Sequence, residues 1–121
     1  MKTRIMCIER KGEGISGPAR IGRVSFSKSG KSIYYEGRLL LPLKGSGFKA
    51  NYFDSKTFEH YWISGCKANG GDRLYPGTVE IDEDVCKEYW NAIRHLPENE
   101  GQKRFRCAGK YGGRGKFPAK P

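Results

Sequence analysis

Covalent or acid–base chemistry needs a reactive side chain, a proton acceptor and a group that orients them. This sequence holds few candidates. Its two histidines are His60 and His95. His60 lies in a β-prone run beside Tyr61 and Trp62, which read as packing residues, and His95 falls at the end of a predicted helix, where the dipole favours a cation. Glu80, Asp82, Glu83 and Asp84 cluster, but at a helix start they read as an N-cap and first-turn charges. The EF-hand spacing and its central glycine are absent. Cys7, Cys66, Cys86 and Cys107 are scattered, with no CxxC pair and no histidine at ligand spacing, so free thiols are expected rather than a zinc centre. Residues 44–49, KGSGFK, resemble a phosphate-cradling loop only loosely, because the P-loop pattern and its following helix are missing. Lys44 and Lys49 could still offer positive charge to a phosphate beside backbone N–H groups. No catalytic residue, metal or cofactor is expected, and an enzyme is the least favoured reading.

Binding chemistry is better represented. The chain has 23 Lys+Arg against 13 Asp+Glu, a net charge of +10. Residues 1–56 carry 12 basic and 4 acidic side chains, residues 57–96 carry 4 and 7, and residues 97–121 carry 7 and 2. A basic first half and a basic end flank an acidic middle, which suits a polyanionic partner. Arg20, Arg23, Lys28, Lys31, Arg38, Lys44 and Lys49 fall on predicted strands or turns. Tyr34 and Tyr52 could add stacking surfaces, and Arg114 lies in KYGGRGKF, one unit of an arginine–glycine segment. Cations interleaved with aromatic rings on a sheet face suit RNA or DNA. The alternative is a protein-interaction domain using Tyr61, Trp62 and the 66–78 loop against an acidic or apolar protein surface.

The elements that must position these residues are mostly strands. Residues 3–8 are β-prone. In ARIGRVSFS (19–27), Val24 and Phe26 alternate with Arg23 and Ser25, so the former pair should face inward. Gly30 suits the tight turn before residues 32–36 return as the first hairpin. Leu39, Leu40 and Leu41 are stopped by Pro42. Residues 44–65 carry Phe48, Tyr52, Phe53, Phe58, Tyr61, Trp62 and Ile63 around the turn Asp54-Ser55-Lys56-Thr57, which predicts a second hairpin holding the core. Residues 79–81 add a short strand. Val85, Tyr89 and Ile93 then repeat at helical spacing, with Asp82 as N-cap and Pro97 beyond the end, predicting a helix over 83–95.

The fold expected is mainly β: a small antiparallel, SH3-like barrel or strongly bent sheet of about five or six strands with one C-terminal helix packed on it. One domain should span 1–97, followed by a flexible, basic, glycine-rich tail over 98–121. The first residues lack the apolar core of a secretory signal and no run reaches membrane-spanning length, so a cytoplasmic monomer without membrane contact is expected.

The segments IGRVSFSKSGKSIYY, GFKANYFD, YWISG and VEIDEDV with the following EYW and IR resemble a family of small, uncharacterised bacterial single-domain proteins. The resemblance covers roughly residues 17–97 and departs from the pattern at Cys66, where proline is expected. Members sometimes carry the automatic name 1-deoxyxylulose-5-phosphate synthase. A thiamine-diphosphate enzyme needs several hundred residues and a metal–diphosphate motif, neither of which is present. The resemblance implies one small domain and brings no catalytic residue.

Overall fold

The computed structural model describes residues 2–11, 17–44, 50–72 and 76–108. Eight strands follow one another: β1 (Thr3–Arg10), β2 (Ala19–Phe26), β3 (Ile33–Tyr35), β4 (Arg38–Pro42), β5 (Tyr52–Asp54), β6 (His60–Gly65), β7 (Gly77–Ile81) and β8 (Arg104–Cys107). Strands β1 to β6 pair antiparallel in chain order, and β6 returns to β1 with Ile8 opposite Ile63. The result is a closed six-stranded meander barrel, which leaves none of these six strands at a sheet edge. β7 runs parallel to the first half of β2, with Ile21 opposite Ile81, and β8 pairs antiparallel outside it. The mainly β expectation holds, with two strands added to the barrel.

Both sequence-predicted hairpins form. In the first, Ser27 and Ser32 exchange backbone and hydroxyl bonds around Gly30 at φ 78°. In the second, Asp54 Oδ1 accepts the N–H of Lys56 at 2.8 Å and of Thr57 at 3.4 Å. This is the local side-chain turn expected of Asp54.

The core does not gather on the aromatic stretch. Phe58 is 69% exposed and only stacks on Phe53 from outside, with ring centroids 6.3 Å apart. Two apolar clusters lie on the two sides of β1 and β2 instead. Met6, Ile8, Val24, Ile33, Tyr35, Leu40, Tyr61 and Ile63 fill the barrel. Ile5, Cys7, Ala19 and Ile21 face outward and are covered by Val79, Ile81, Val85, Tyr89 and Trp90. Residues 5–9 are therefore continuously buried, as strands covered on both faces are.

The covering helix occupies 83–93 and changes its winding as it goes: a 3₁₀ turn at Glu83–Val85, an α turn at Cys86–Glu88 and a π turn at Tyr89–Ile93. It ends two residues before the expected limit, where His95 takes φ 56°. Asp82 holds the N-cap position but makes no capping bond with its side chain. The packed chain also continues past the boundary expected at 97. A 3₁₀ turn at Pro97–Asn99 leads to β8, whose Phe105 stacks on Tyr89 at 5.8 Å and meets the edge of Trp90 at 5.7 Å. Phe105 and Cys107 supply the apolar anchorage that the polar composition of this segment obscures. Residues 109–121 lie outside the described residues.

Candidate nucleic-acid interface

A meander barrel sends alternate connections to opposite ends. The end of β1, the β3–β4 turn and the β5–β6 turn share one end, called here the upper. The start of β1, the β2–β3 turn and the β4–β5 connection share the other. The basic side chains divide between these ends, and the two groups differ in what they touch.

Around the upper mouth Arg10, Arg20 and Arg38 are each held by carboxylates. Arg20 donates from Nε to Asp82 at 2.6 Å and from Nη1 to Glu80 at 2.9 Å. Arg38 reaches the buried Asp54 at 2.8 Å, and Arg10 clasps Glu59 through Nε and Nη2. Bonding to Asp82 raises the already high pKa of Arg20, and Asp54 does the same for Arg38. These arginines rim a small cavity of about 180 Å³ above Tyr35 and Tyr61. Asp54, Glu59, Glu80 and Asp82 engage these three guanidiniums, while Lys56 in the β5–β6 turn is exposed and in no ion pair among the described residues. Arg23, on the outer wall of β2, is bound in turn by Glu88 of the helix at 2.5 Å.

The lower end is different. Lys2 and Arg4 at the start of β1 and Lys28 in the β2–β3 turn line a groove of about 580 Å³ together with Phe26, Ser27, Ser29 and Gly30. Lys31 belongs to the same turn, and Lys44 opens the β4–β5 connection. Among the described residues, none of the five has an ion pair and no carboxylate lines the groove. Exposed like charges reinforce one another within a Debye length of about 8–10 Å.

The sequence-predicted site residues thus separate. Lys28, Lys31 and Lys44 share the lower end; Arg20, Arg23 and Arg38 are committed to carboxylates. Tyr34 is 42% exposed on the outer wall and does not line the groove. Tyr52 is half-buried against the barrel interior. Lys49 and Arg114 lie outside the described residues. Lys2, Arg4 and Phe26 were not among the expected site residues. The signal for them was topological: in a meander the N-terminus of β1 and the β2–β3 turn must meet.

The surface named for the protein-interaction alternative is partly buried and partly exposed, with Lys67, Ala68 and Asn69 open to solvent. Tyr61 is 5% exposed inside the barrel, and Trp62 is half-buried. Residues 66–72 bond to themselves, with Lys67 N–H on Asp72 Oδ1 at 2.6 Å and Gly71 N–H on Asn69 Oδ1 at 2.8 Å. Arg94 ties this loop to the helix through the Ala68 carbonyl at 3.0 Å, while lying over the rings of Trp90 and Phe105. Arg73, Leu74 and Tyr75 lie outside the described residues.

The cysteines are free, and burial pushes the thiols of Cys7, Cys66 and Cys86 up, so they stay neutral; nucleophilic cysteines need the opposite shift. No cluster of three metal-ligating side chains occurs among the described residues.

Fold and site together define a small closed β-barrel with one basic, unneutralised end. Comparison of the chain with protein-family models, curated proteins and solved structures yields no match.

Proposed function

We propose that this protein is a non-enzymatic nucleic-acid-binding module that holds phosphates at the lower end of its barrel. The observation that carries this reading is the contrast between two groups of cations: three arginines held by carboxylates at the upper mouth, and at the lower end Lys2, Arg4 and Lys28 around a groove, with Lys31 and Lys44 at the same end, none in an ion pair among the described residues. Phosphate contacts of this kind supply affinity and position without reading sequence.

The test is a binding titration of the full chain against RNA and DNA oligomers at several salt concentrations. Affinity should fall steeply with salt, with a logarithmic slope of about −2 to −4 for three to five phosphates contacted on a single strand. Absence of binding at low salt, or binding indifferent to salt, would remove the proposal.

A further inference from the structure

Resting on that reading, we infer that the groove takes a single strand rather than a duplex. One unstacked base lies on Phe26, the flanking phosphates lie on Lys2, Arg4 and Lys28, and the base is accepted whatever its identity.

The shape argues for the strand. Gripping a duplex backbone needs only exposed cations on a convex or flat surface. Here the cations rim a concavity of about 580 Å³, within the size range of pockets that enclose a small organic group. Phe26, the last residue of β2, packs against the barrel interior and also forms part of the groove wall. A half-covered ring beside lysines and an arginine is the pairing that single-strand binders use, since every base presents a π-face. A base inside a duplex is already stacked on its neighbours.

The hydrogen-bonding groups argue for tolerance of sequence. Reading a base edge needs donors and acceptors in a fixed pattern. The groove's two hydroxyls are largely engaged within the turn: Ser27 Oγ accepts Ser32 N–H at 3.1 Å, Ser29 Oγ accepts Lys31 N–H at 3.3 Å, and one hydroxyl donates to the other at 3.3 Å, leaving a single O–H donor between them. Lys2, Arg4 and Lys28 offer donors on long, flexible stems. With these three side chains engaged by the flanking phosphates, none is committed to one base edge.

Fluorescence anisotropy at fixed low salt tests this with labelled oligo-dT, oligo-dA and oligo-rU, a hairpin duplex with the same number of phosphates, and inorganic polyphosphate of matching charge. The three strands should bind alike and about tenfold or more tighter than duplex or polyphosphate. Phe26→Leu, which keeps an apolar side chain at the position, should weaken strand binding about 5- to 150-fold, the cost of one lost base–aromatic stack. It should leave polyphosphate binding and the salt slope unchanged. Duplex or polyphosphate bound as tightly as the strands overturns the inference even if the variant fails to fold. So does a folded Phe26→Leu protein with unaltered strand affinity, or a strong preference among the strands. Equal binding of strand and duplex sinks the inference while leaving the nucleic-acid reading intact; binding to none of the probes sinks both.

Discussion

The Tyr35 hydroxyl, from inside the barrel, donates to Asp82 Oδ2 at 2.5 Å, at the entrance of the helix. Asp82 spends its other oxygen on Arg20, so one carboxylate joins β3, β2 and the helix instead of capping the helix. The bond passes over Gly22. A Cβ there would lie 2.4 Å from Asp82 Oδ2 and 2.6 Å from Tyr35 Cε1. Gly22→Ala should therefore cost about 1–3 kcal/mol, as overpacking does, and Tyr35→Phe about 1–2 kcal/mol for the lost bond to a charged acceptor. In the double variant the costs should not add, because both act on one contact. Urea denaturation of the single and double variants measures this.

Alkaline pH should destabilise the protein through its buried tyrosines, together with the buried thiols of Cys7, Cys66 and Cys86. Burial is the main cause that raises Tyr35, Tyr61 and Tyr89 above the ordinary tyrosine value; Asp82 adds to it for Tyr35. The folded chain keeps these protons after the unfolded chain begins to lose them. Their stabilising contribution is thus complete below about pH 10 and declines as pH rises beyond it. The fall in melting temperature between about pH 9 and about pH 11 should be smaller in Tyr35→Phe than in the parent. An equal fall would assign the alkaline limb to other groups.

Charge removal should separate the two ends of the barrel. Lys2→Ala, Arg4→Ala and Lys28→Ala should each lower oligonucleotide affinity and reduce the salt slope by about 0.7, with little change in melting temperature. Arg20→Ala and Arg38→Ala should do the reverse. They leave Asp82 and the buried Asp54 short of a partner, so the melting temperature drops while binding by the folded protein stays near the parent value. Anisotropy and thermal melts on the same five variants decide it.

Residues 104–107 should be required for stability. Phe105 lies against Tyr89 and Trp90 under the guanidinium of Arg94. Phe105→Ala should cost about 2–3 kcal/mol, below the full range for a buried phenylalanine because this ring is only partly covered. Denaturant midpoints report the loss; a near-neutral result would mean that β8 adds nothing to the helix packing.

Local pattern alone determined the two hairpins, the inward pair Val24 and Phe26, the turn made by Asp54 and the amphipathic helix that begins after Asp82. Alternation, turn chemistry and helical spacing act between near neighbours, so they are written in consecutive residues. Tertiary structure decided everything that depends on distant partners. Ile21 alternates with the outward residues of β2 yet is fully buried, because β7 and the helix close over it. The aromatic stretch around Phe53 and Phe58 ended largely outside the interior, since closure of the barrel gave the inner positions to β1, β2, β3, β4 and β6. The charges follow the same rule. A basic residue's type is visible in the sequence, but whether it remains available depends on a carboxylate tens of positions away. That is why Arg20 and Arg38 became structural, while Lys2 and Arg4 joined Lys28 around one groove.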